Sequence, residues 1–329
     1  MSLAAPHALE VKIDQNEPHR ASNVMVSIHK LHLEILIMVF TLATKHWINE
    51  DFEDIGAEPV LSTTLASICS FWRGIILESP AFRSEIRLVL MGPLADKYYE
   101  RAIVRAGRAQ NAPLWIHVQD TTTDERPIDQ NGEILPEHII TKMIQLLAPL
   151  MPSVYSLSIQ FQQFSPDSTV QALLTSWIQH TSLDIAKRLD LFMSPELKEM
   201  EALVIPRGRD EMLSPTQVSA FLKKLPSVRI QNIAIHWRKP TFPGLTNLYV
   251  GFGLAITYVP YQQSISDILT ASPQLRSLVM LDFFVMASFP APTPVALDCL
   301  RQLKLETHFS QSVANVVSLI SSTHAMHST

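Results

Sequence analysis

The feature that most constrains the fold is a six-residue template, apolar-x-x-apolar-x-apolar, that recurs in the chain beyond residue 110. The last two apolar positions of each copy lie two residues apart, as a β-strand with one buried face requires. The clear copies, followed by one weaker copy, are Val154/Leu157/Ile159, Met200/Leu203/Ile205, Ile230/Ile233/Ile235, Leu245/Leu248/Val250, Leu275/Leu278/Met280, Leu300/Leu303/Leu305 and Ala186/Leu189/Leu191.

Helical patterns fall between many of these predicted strands. Apolar residues recur at steps of three and four over 139–147, 170–178, 218–225 and 313–320. Ser214-Pro215 precedes the third pattern and places Ser at an N-cap and Pro at N1. Alternating strands and helices around a Leu-x-x-Leu-x-Leu core predict an α/β solenoid of degenerate leucine-rich repeats. An ordinary α/β domain with short strands remains the alternative.

The N-terminal part of the chain predicts helices instead. Residues 31–40 are apolar around most of a helix, so this helix must be buried on several sides, by its own domain or by a partner. Residues 48–60 are acidic and predict a loop. One further helix is predicted from apolar residues at steps of three and four, namely Leu61, Leu65, Ile68, Cys69, Trp72 and Ile76. Phe82 and Ile86 predict a third short apolar element.

These N-terminal segments resemble a known module. LHLEILIMVF, residues 31–40, is similar to the opening of an F-box, and LASICSFWRGIILESPAFRSEI, residues 65–86, is similar to its second half. YYERAIVRAGRAQNAPLWIHV, residues 98–118, resembles the passage after the box in the large fungal (mushroom-type) F-box group. The resemblance implies a module that docks on the Skp adaptor subunit and, through it, on a cullin.

The resemblance also implies which residues make the adaptor contact. They are Leu31, Leu33, Ile35, Leu36, Trp72, Ile75 and Phe82. Two residues depart from the family pattern, because His32 stands where proline is usual and Arg83 stands where tryptophan is usual. Loss of the tryptophan removes a large apolar anchor, which lowers the affinity expected of the interface.

The predicted fold is therefore α/β overall, with a small all-α F-box-like module followed by a divergent leucine-rich-repeat-like solenoid. We expect a mobile tail over 1–26, the helical domain over 27–90, a helical linker over 91–112 and the repeat domain over 113–329. The chain ends directly after a helical pattern, without the polar cap that closes a solenoid. A truncated product and an atypical cap both remain open.

Composition limits the classes of function. The net charge is -5 and no long Lys/Arg cluster occurs, so we expect no nucleic-acid partner. Cys69 and Cys299 are the chain's 2 cysteines, which is typical of a reducing compartment, here the cytoplasm or the nucleus. No apolar stretch reaches the roughly 20 residues of a membrane helix, and no apolar signal segment opens the chain.

Motifs for catalysis are weak. His29 and His32 are three residues apart, but no third metal ligand with supporting carboxylates is recognisable. The acidic run from Asp120 to Asp129 predicts a solvated loop. No Walker loop, GxGxxG or GxSxG motif occurs. We therefore expect a non-enzyme without catalytic residues, metal or cofactor.

Aromatic and basic residues on the predicted strands are candidates for a substrate surface. These are Trp237, Arg238, Tyr249 and Phe252, with packing into the repeat core as the alternative. The expected function is a non-catalytic substrate-recognition adaptor of a cullin–RING (SCF-type) ubiquitin ligase, with a protein substrate on the repeats. The alternative is a ligase-independent protein-interaction scaffold whose F-box has drifted.

Overall fold

The computed structural model describes residues 27–46, 60–79, 82, 84–109, 112–120, 133–134, 136–161, 164–165, 167–181, 184–194, 214–233, 242–251 and 259–321. The chain divides into two compact units, Met1–Phe82 and Arg83–Thr329. The expected tail over 1–26 and the template copy at Met200 lie outside the described residues.

The described part of the first unit is helical. It contains a 3-10 turn at Ser27–Lys30 and the helices α1 (Leu33–His46), α2 (Val60–Ile68) and α3 (Ser70–Glu78). Its buried core consists of Leu36, Phe40, Leu65, Trp72, Ile75 and Ile76. The ring centroids of Phe40 and Trp72 are 4.6 Å apart, so α1 packs on α3 through an aromatic contact.

The single helix predicted across Cys69 is wrong, because two helices meet there. Cys69 has an extended backbone (φ -158, ψ 166) and is the N-cap of α3. Its Sγ accepts a hydrogen bond from the backbone N–H of Trp72 at 3.4 Å. The break lets Leu65 and Trp72 share one core but leaves Ile68 55% exposed.

The second unit is mixed α/β and is built on a parallel sheet of eight strands. The strands are β1 (Glu85–Val89), β2 (Leu114–Gln119), β3 (Val154–Phe161), β4 (Arg188–Met193), β5 (Ser227–Gln231), β6 (Asn247–Gly251), β7 (Ser277–Leu281) and β8 (Gln302–Glu306). The helices are α4 (Ala95–Ala109), α5 (Glu137–Leu147), α6 (Asp167–His180), α7 (Pro215–Leu222), α8 (Gln262–Ala271) and α9 (Ser310–Val317). A 3-10 segment, Ala148–Ser153, leads into β3, and two-residue strands pair Glu133–Ile134 with Phe164–Ser165 and Val295–Ala296 with Ile320–Ser321.

The order of strands in the sheet follows their order in the chain. Each strand from β1 to β7 pairs in parallel with the strand that comes next in sequence. A doubly wound sheet reverses its strand order at a switch point, whereas this order never reverses.

One face of the sheet carries two register rows of aliphatic side chains. The first row is Ile86, Ile116, Leu157, Leu189, Val228, Leu248, Leu278 and Leu303. The second row is Leu88, Val118, Ile159, Leu191, Ile230, Val250, Met280 and Leu305. They form one core with residues of all six helices of this unit, and each fully buried side chain contributes about 1.5–3 kcal/mol.

Three predictions change in this unit. The copy at Ile230 is out of register, because β5 ends at Gln231 and Asn232 has a positive φ (57), which a strand cannot continue through. The same template is met by Leu225, Val228 and Ile230 instead.

The F-box-like domain was expected to extend to residue 90, but β1 joins the sheet and the compact units divide after Phe82. Residues 91–112 are not a linker, because Ala102 and Ala109 of α4 lie in the sheet's core.

Candidate binding surfaces

The face of the sheet opposite the aliphatic rows carries the charged side chains of the eight strands. We call it the polar face. Three register rows build it from the alternate side chains of every strand. They are Glu85–Trp115–Ser156–Arg188–Ser227–Asn247–Ser277–Gln302, Arg87–His117–Ser158–Asp190–Arg229–Tyr249–Val279–Lys304 and Val89–Gln119–Gln160–Phe192–Gln231–Gly251–Leu281–Glu306.

Charged groups on the polar face are paired along their own strands. Arg87 Nε donates to Glu85 Oε1 on β1, and Arg188 Nε donates to Asp190 Oδ2 at 2.7 Å on β4. Burial by itself raises the pKa of Glu85, but attraction to Arg87, together with His117 and Arg105, outweighs burial and lowers that pKa. Glu85 and Arg87 therefore form an ion pair on the polar face, beside His117 of β2.

His117 is a largely buried titratable group on β2, in the middle register row of this face. Its Nε2 lies 4.0 Å from Glu85 Oε1. Burial, together with repulsion from Arg87 and Arg188, lowers the pKa of His117 to about 4 against the opposing attraction of Glu85. The imidazole is consequently neutral at physiological pH.

Aromatic side chains add flat apolar surface beside these charges. The rings of Trp115 and Tyr155 stack with centroids 5.0 Å apart. The Arg229 guanidinium lies 4.2 Å from the centroid of the Tyr249 ring, and the Tyr249 hydroxyl donates to Gln231 Oε1 at 3.4 Å. Tyr249, predicted as a substrate-surface residue, is therefore a member of the polar face. Trp237, Arg238 and Phe252 lie outside the described residues.

Several buried polar atoms of this face have no hydrogen-bond partner in the described part of the chain, among them His117 Nε2, Gln160 Oε1 and Asp190 Oδ1. Burial raises the pKa of Asp190, against the attraction of Arg188 and Arg229. An unmet buried polar group costs about 1–3 kcal/mol, so these atoms are unfavourable for stability unless they gain a partner.

A second candidate surface lies on the helical unit. Four apolar residues of α1 follow one another at helical spacing and are exposed, namely Ile35 (41%), Met38 (53%), Val39 (41%) and Leu42 (63%). We call them the apolar stripe of α1. Leu36 and Phe40, on another face of the same helix, are fully buried in the core of the unit. The helix therefore has two apolar faces, of which the described residues of this unit cover one.

The predicted adaptor-contact residues fall into two groups. Leu31, Leu33 and Ile35 are exposed, and Phe82 is half-buried with its ring 6.5 Å from that of Phe40. The other three lie inside the helical core, namely Leu36, Trp72 and Ile75.

Sequence reasoning missed most members of both surfaces. Met38, Val39 and Leu42 were detectable from their spacing relative to Ile35. Asp190 and Lys304 stand between the last two apolar positions of their template copies, and that position was the available signal for these two residues.

Comparison with known proteins adds no assignment to these surfaces. No family model matches the chain, and no curated protein matches it. Within the described residues, no cluster of His, Cys, Asp and Glu could hold a metal ion. In the same part of the chain, every helix is too short or too polar to span a membrane.

Proposed function

We propose that the chain is a non-catalytic substrate-recognition adaptor of a cullin–RING ubiquitin ligase. In this proposal the apolar stripe of α1 docks the F-box-like unit on the Skp adaptor subunit. The polar face of a leucine-rich-repeat-like solenoid binds a protein substrate. Such an adaptor acts in the cytoplasm or the nucleus.

The exposed apolar stripe is the observation that carries the proposal. A helix that already buries Leu36 and Phe40 has no internal use for four further exposed apolar side chains. A contiguous exposed apolar patch marks an interaction site in a protein that stays in solution. Three of its four residues, Ile35, Met38 and Val39, lie in the segment 31–40 that resembles the opening of an F-box, and Ile35 is also one of the predicted adaptor-contact residues.

The order of the sheet supports the substrate-binding half of the proposal. In a solenoid each repeat stacks on the one before, so strands pair in chain order and one face of the sheet is left for ligands. The strands of this sheet pair in chain order, and the polar face combines ion pairs with half-buried aromatic rings. Transfer of ubiquitin belongs to other subunits, and the adaptor raises the effective concentration of substrate beside them.

Co-purification of the full chain with a Skp-type adaptor tests the docking step. The variant Ile35→Asp/Met38→Asp places two charges on the stripe without touching the core, and we expect it to lose the complex. Leu36→Asp and Trp72→Ala are unsuitable, because both residues are buried and their loss unfolds the unit. Circular dichroism checks that the stripe variant remains helical.

Ile103→Asp is the matched control, because Ile103 is a similarly exposed isoleucine (49%) on α4 of the other unit. We expect this variant to bind the adaptor like the wild type. A folded wild-type chain that does not bind overturns the ligase role and favours the ligase-independent scaffold. Equal binding by the stripe variant and the wild type overturns the assignment of the stripe.

A further inference from the structure

The two edge strands of the eight-stranded sheet differ in burial. At one edge, Ile86 and Leu88 of β1 are 0% and 2% exposed. At the other edge, Leu303 and Leu305 of β8 occupy the same two register rows but are only partly buried. Val313 of α9, the helix that follows β8, is partly buried as well. The aliphatic core is therefore incompletely covered at the β8 edge.

The backbone of β8 also has one side without a partner strand. The N–H of Gln302 donates to the carbonyl of Arg276 at 3.0 Å, so Gln302 and every second residue after it bond towards β7. Peptide groups alternate in direction along a strand, which turns the N–H and C=O groups of Leu303 and Leu305 away from β7. No strand in the described part of the chain pairs with this side of β8. Such an edge is a template for a further strand.

Charged side chains on β8 form a self-complementary pattern. Lys304 and Glu306 flank Leu305, and their side chains are 55% and 66% exposed, with 3.3 Å between Lys304 Nζ and Glu306 Oε2. A two-fold axis through Leu305, perpendicular to the sheet, places a second copy of β8 antiparallel to the first. Lys304 of each copy then lies directly opposite Glu306 of the other. The four charges alternate in sign around the junction, and such a network stabilises more than an isolated exposed pair.

Backbone geometry permits this register and charge selects it. When the pairing is centred on Leu305, this residue of each copy exchanges both backbone hydrogen bonds through the groups that point away from β7. The nearest registers that keep the polar faces together are centred on Lys304 or on Glu306, and they place like charges directly opposite. A lysine in the middle of an edge strand ordinarily opposes pairing. Glu306 of a second copy compensates this charge in the register centred on Leu305 alone.

We propose that β8 pairs with β8 of a second copy of this chain, in an antiparallel two-fold dimer centred on Leu305. The two sheets join edge to edge, and their polar faces lie on the same side. Leu303 and Leu305 of each copy gain aliphatic neighbours from the other copy, which covers the open end of the core. This interface belongs to the second unit alone and is independent of the ligase role.

Sedimentation of the full chain over a concentration series tests the dimer. We expect the wild type to approach twice the monomer mass of 37.0 kDa as the concentration rises. Lys304→Glu and Glu306→Lys each place like charges opposite one another at two pairs, and each should raise the dissociation constant about tenfold. Circular dichroism checks that both variants remain folded. Lys224→Glu is the matched control, because Lys224 is similarly exposed and lies 3.3 Å from Asp184, and it should dimerise like the wild type.

Mixing the two single variants tests the register. An equimolar mixture of Lys304→Glu and Glu306→Lys brings every glutamate opposite a lysine, so we expect the mixture to regain the affinity of the wild type. The double variant Lys304→Glu/Glu306→Lys exchanges the two charges and should dimerise by itself. A wild-type chain that stays monomeric at every concentration overturns the inference. A dimer that both single variants leave unchanged uses another surface and overturns it too, as does a mixture that stays monomeric.

Discussion

Two carboxylates of the polar face illustrate, at the residue scale, how burial and pairing compete. Asp190 and Glu85 are both buried and both bonded to an arginine two residues away on the same strand. Burial dominates at Asp190 and raises its pKa, whereas the cations around Glu85 together outweigh burial and lower its pKa. The balance between burial and neighbouring positive charge therefore has opposite outcomes at the two sites.

His117 predicts a loss of stability in mild acid. Its pKa falls from 6.5 to about 4 on folding, so between these values the unfolded chain binds a proton that the folded chain rejects. The contribution of His117 to the free energy of unfolding is therefore fully present above pH 6.5 and is lost as the pH falls towards 4. From pH 7 to pH 5 this residue alone should lower the free energy of unfolding by about 2 kcal/mol.

Urea denaturation of wild type and His117→Gln at both pH values checks this dependence. The variant lacks the titrating ring, so its free energy of unfolding should change less between pH 7 and pH 5. Asp190 acts in the opposite direction above pH 3.8, since its raised pKa favours the folded state as the pH falls. An identical pH dependence in both proteins would contradict the assignment to His117.

At the scale of single elements, hydrogen bonds from specific side chains stabilise helix ends and loops in the second unit. Ser214 Oγ accepts from the backbone N–H of Gln217 at 3.2 Å, and the Gln217 side chain accepts from the backbone N–H of Ser214 at 2.9 Å. Near the C-terminal end, Asn315 and Ser312 of α9 bond to the carbonyl and the N–H of buried Val285. Each contact satisfies a backbone group that folding removes from its usual partners.

Removal of the cap of α7 should destabilise the second unit. Ser214→Ala deletes the side-chain acceptor of the capping box, which typically costs about 1 kcal/mol. Urea denaturation gives the difference in free energy of unfolding. Ser219→Ala, at an exposed position within the same helix, is the matched control and should be neutral or slightly stabilising. Equal effects of the two substitutions would contradict the role of the cap.

At the scale of the whole sheet, the burial of the aliphatic face changes from the central strands to the last strand. Aliphatic residues on central strands are almost fully buried, whereas Leu303 and Leu305 of β8 are only partly buried. Among the described strands, β8 pairs with β7 alone, so one side of its aliphatic side chains lacks a neighbour. The core therefore thins towards this end of the sheet.

A pair of leucines in one register row measures this gradient. Leu191→Ala on β4 creates a cavity at a site that is 0% exposed, which should cost about 2–5 kcal/mol of unfolding free energy. Leu305→Ala on β8 removes the same atoms from a partly exposed site and should cost clearly less. Urea denaturation of both variants gives the comparison, and equal losses would show that the core is continuous to β8.

Much of the fold could be predicted because its signals are local. The copies at Leu157, Leu248, Leu278 and Leu303 lie on observed strands, and the N-cap predicted at Ser214 is confirmed. The first two strands were missed, since β1 lies within the segment that resembles an F-box. Of the candidate polar-face residues, only Tyr249 was predicted, because the template drew attention to its apolar positions and not to the residues between them.

The sequence by itself determined which residues face the core on the strands that carry a template copy in register, since side chains alternate strictly along a strand. It also determined several helix faces, because their spacing depends only on the helical repeat. Tertiary structure decided which apolar face of α1 is covered, since that depends on how α3 packs against it. It also brought His117 and Asp190 into one row, because the register of parallel strands is set by the packing of the helices between them and not by any local pattern.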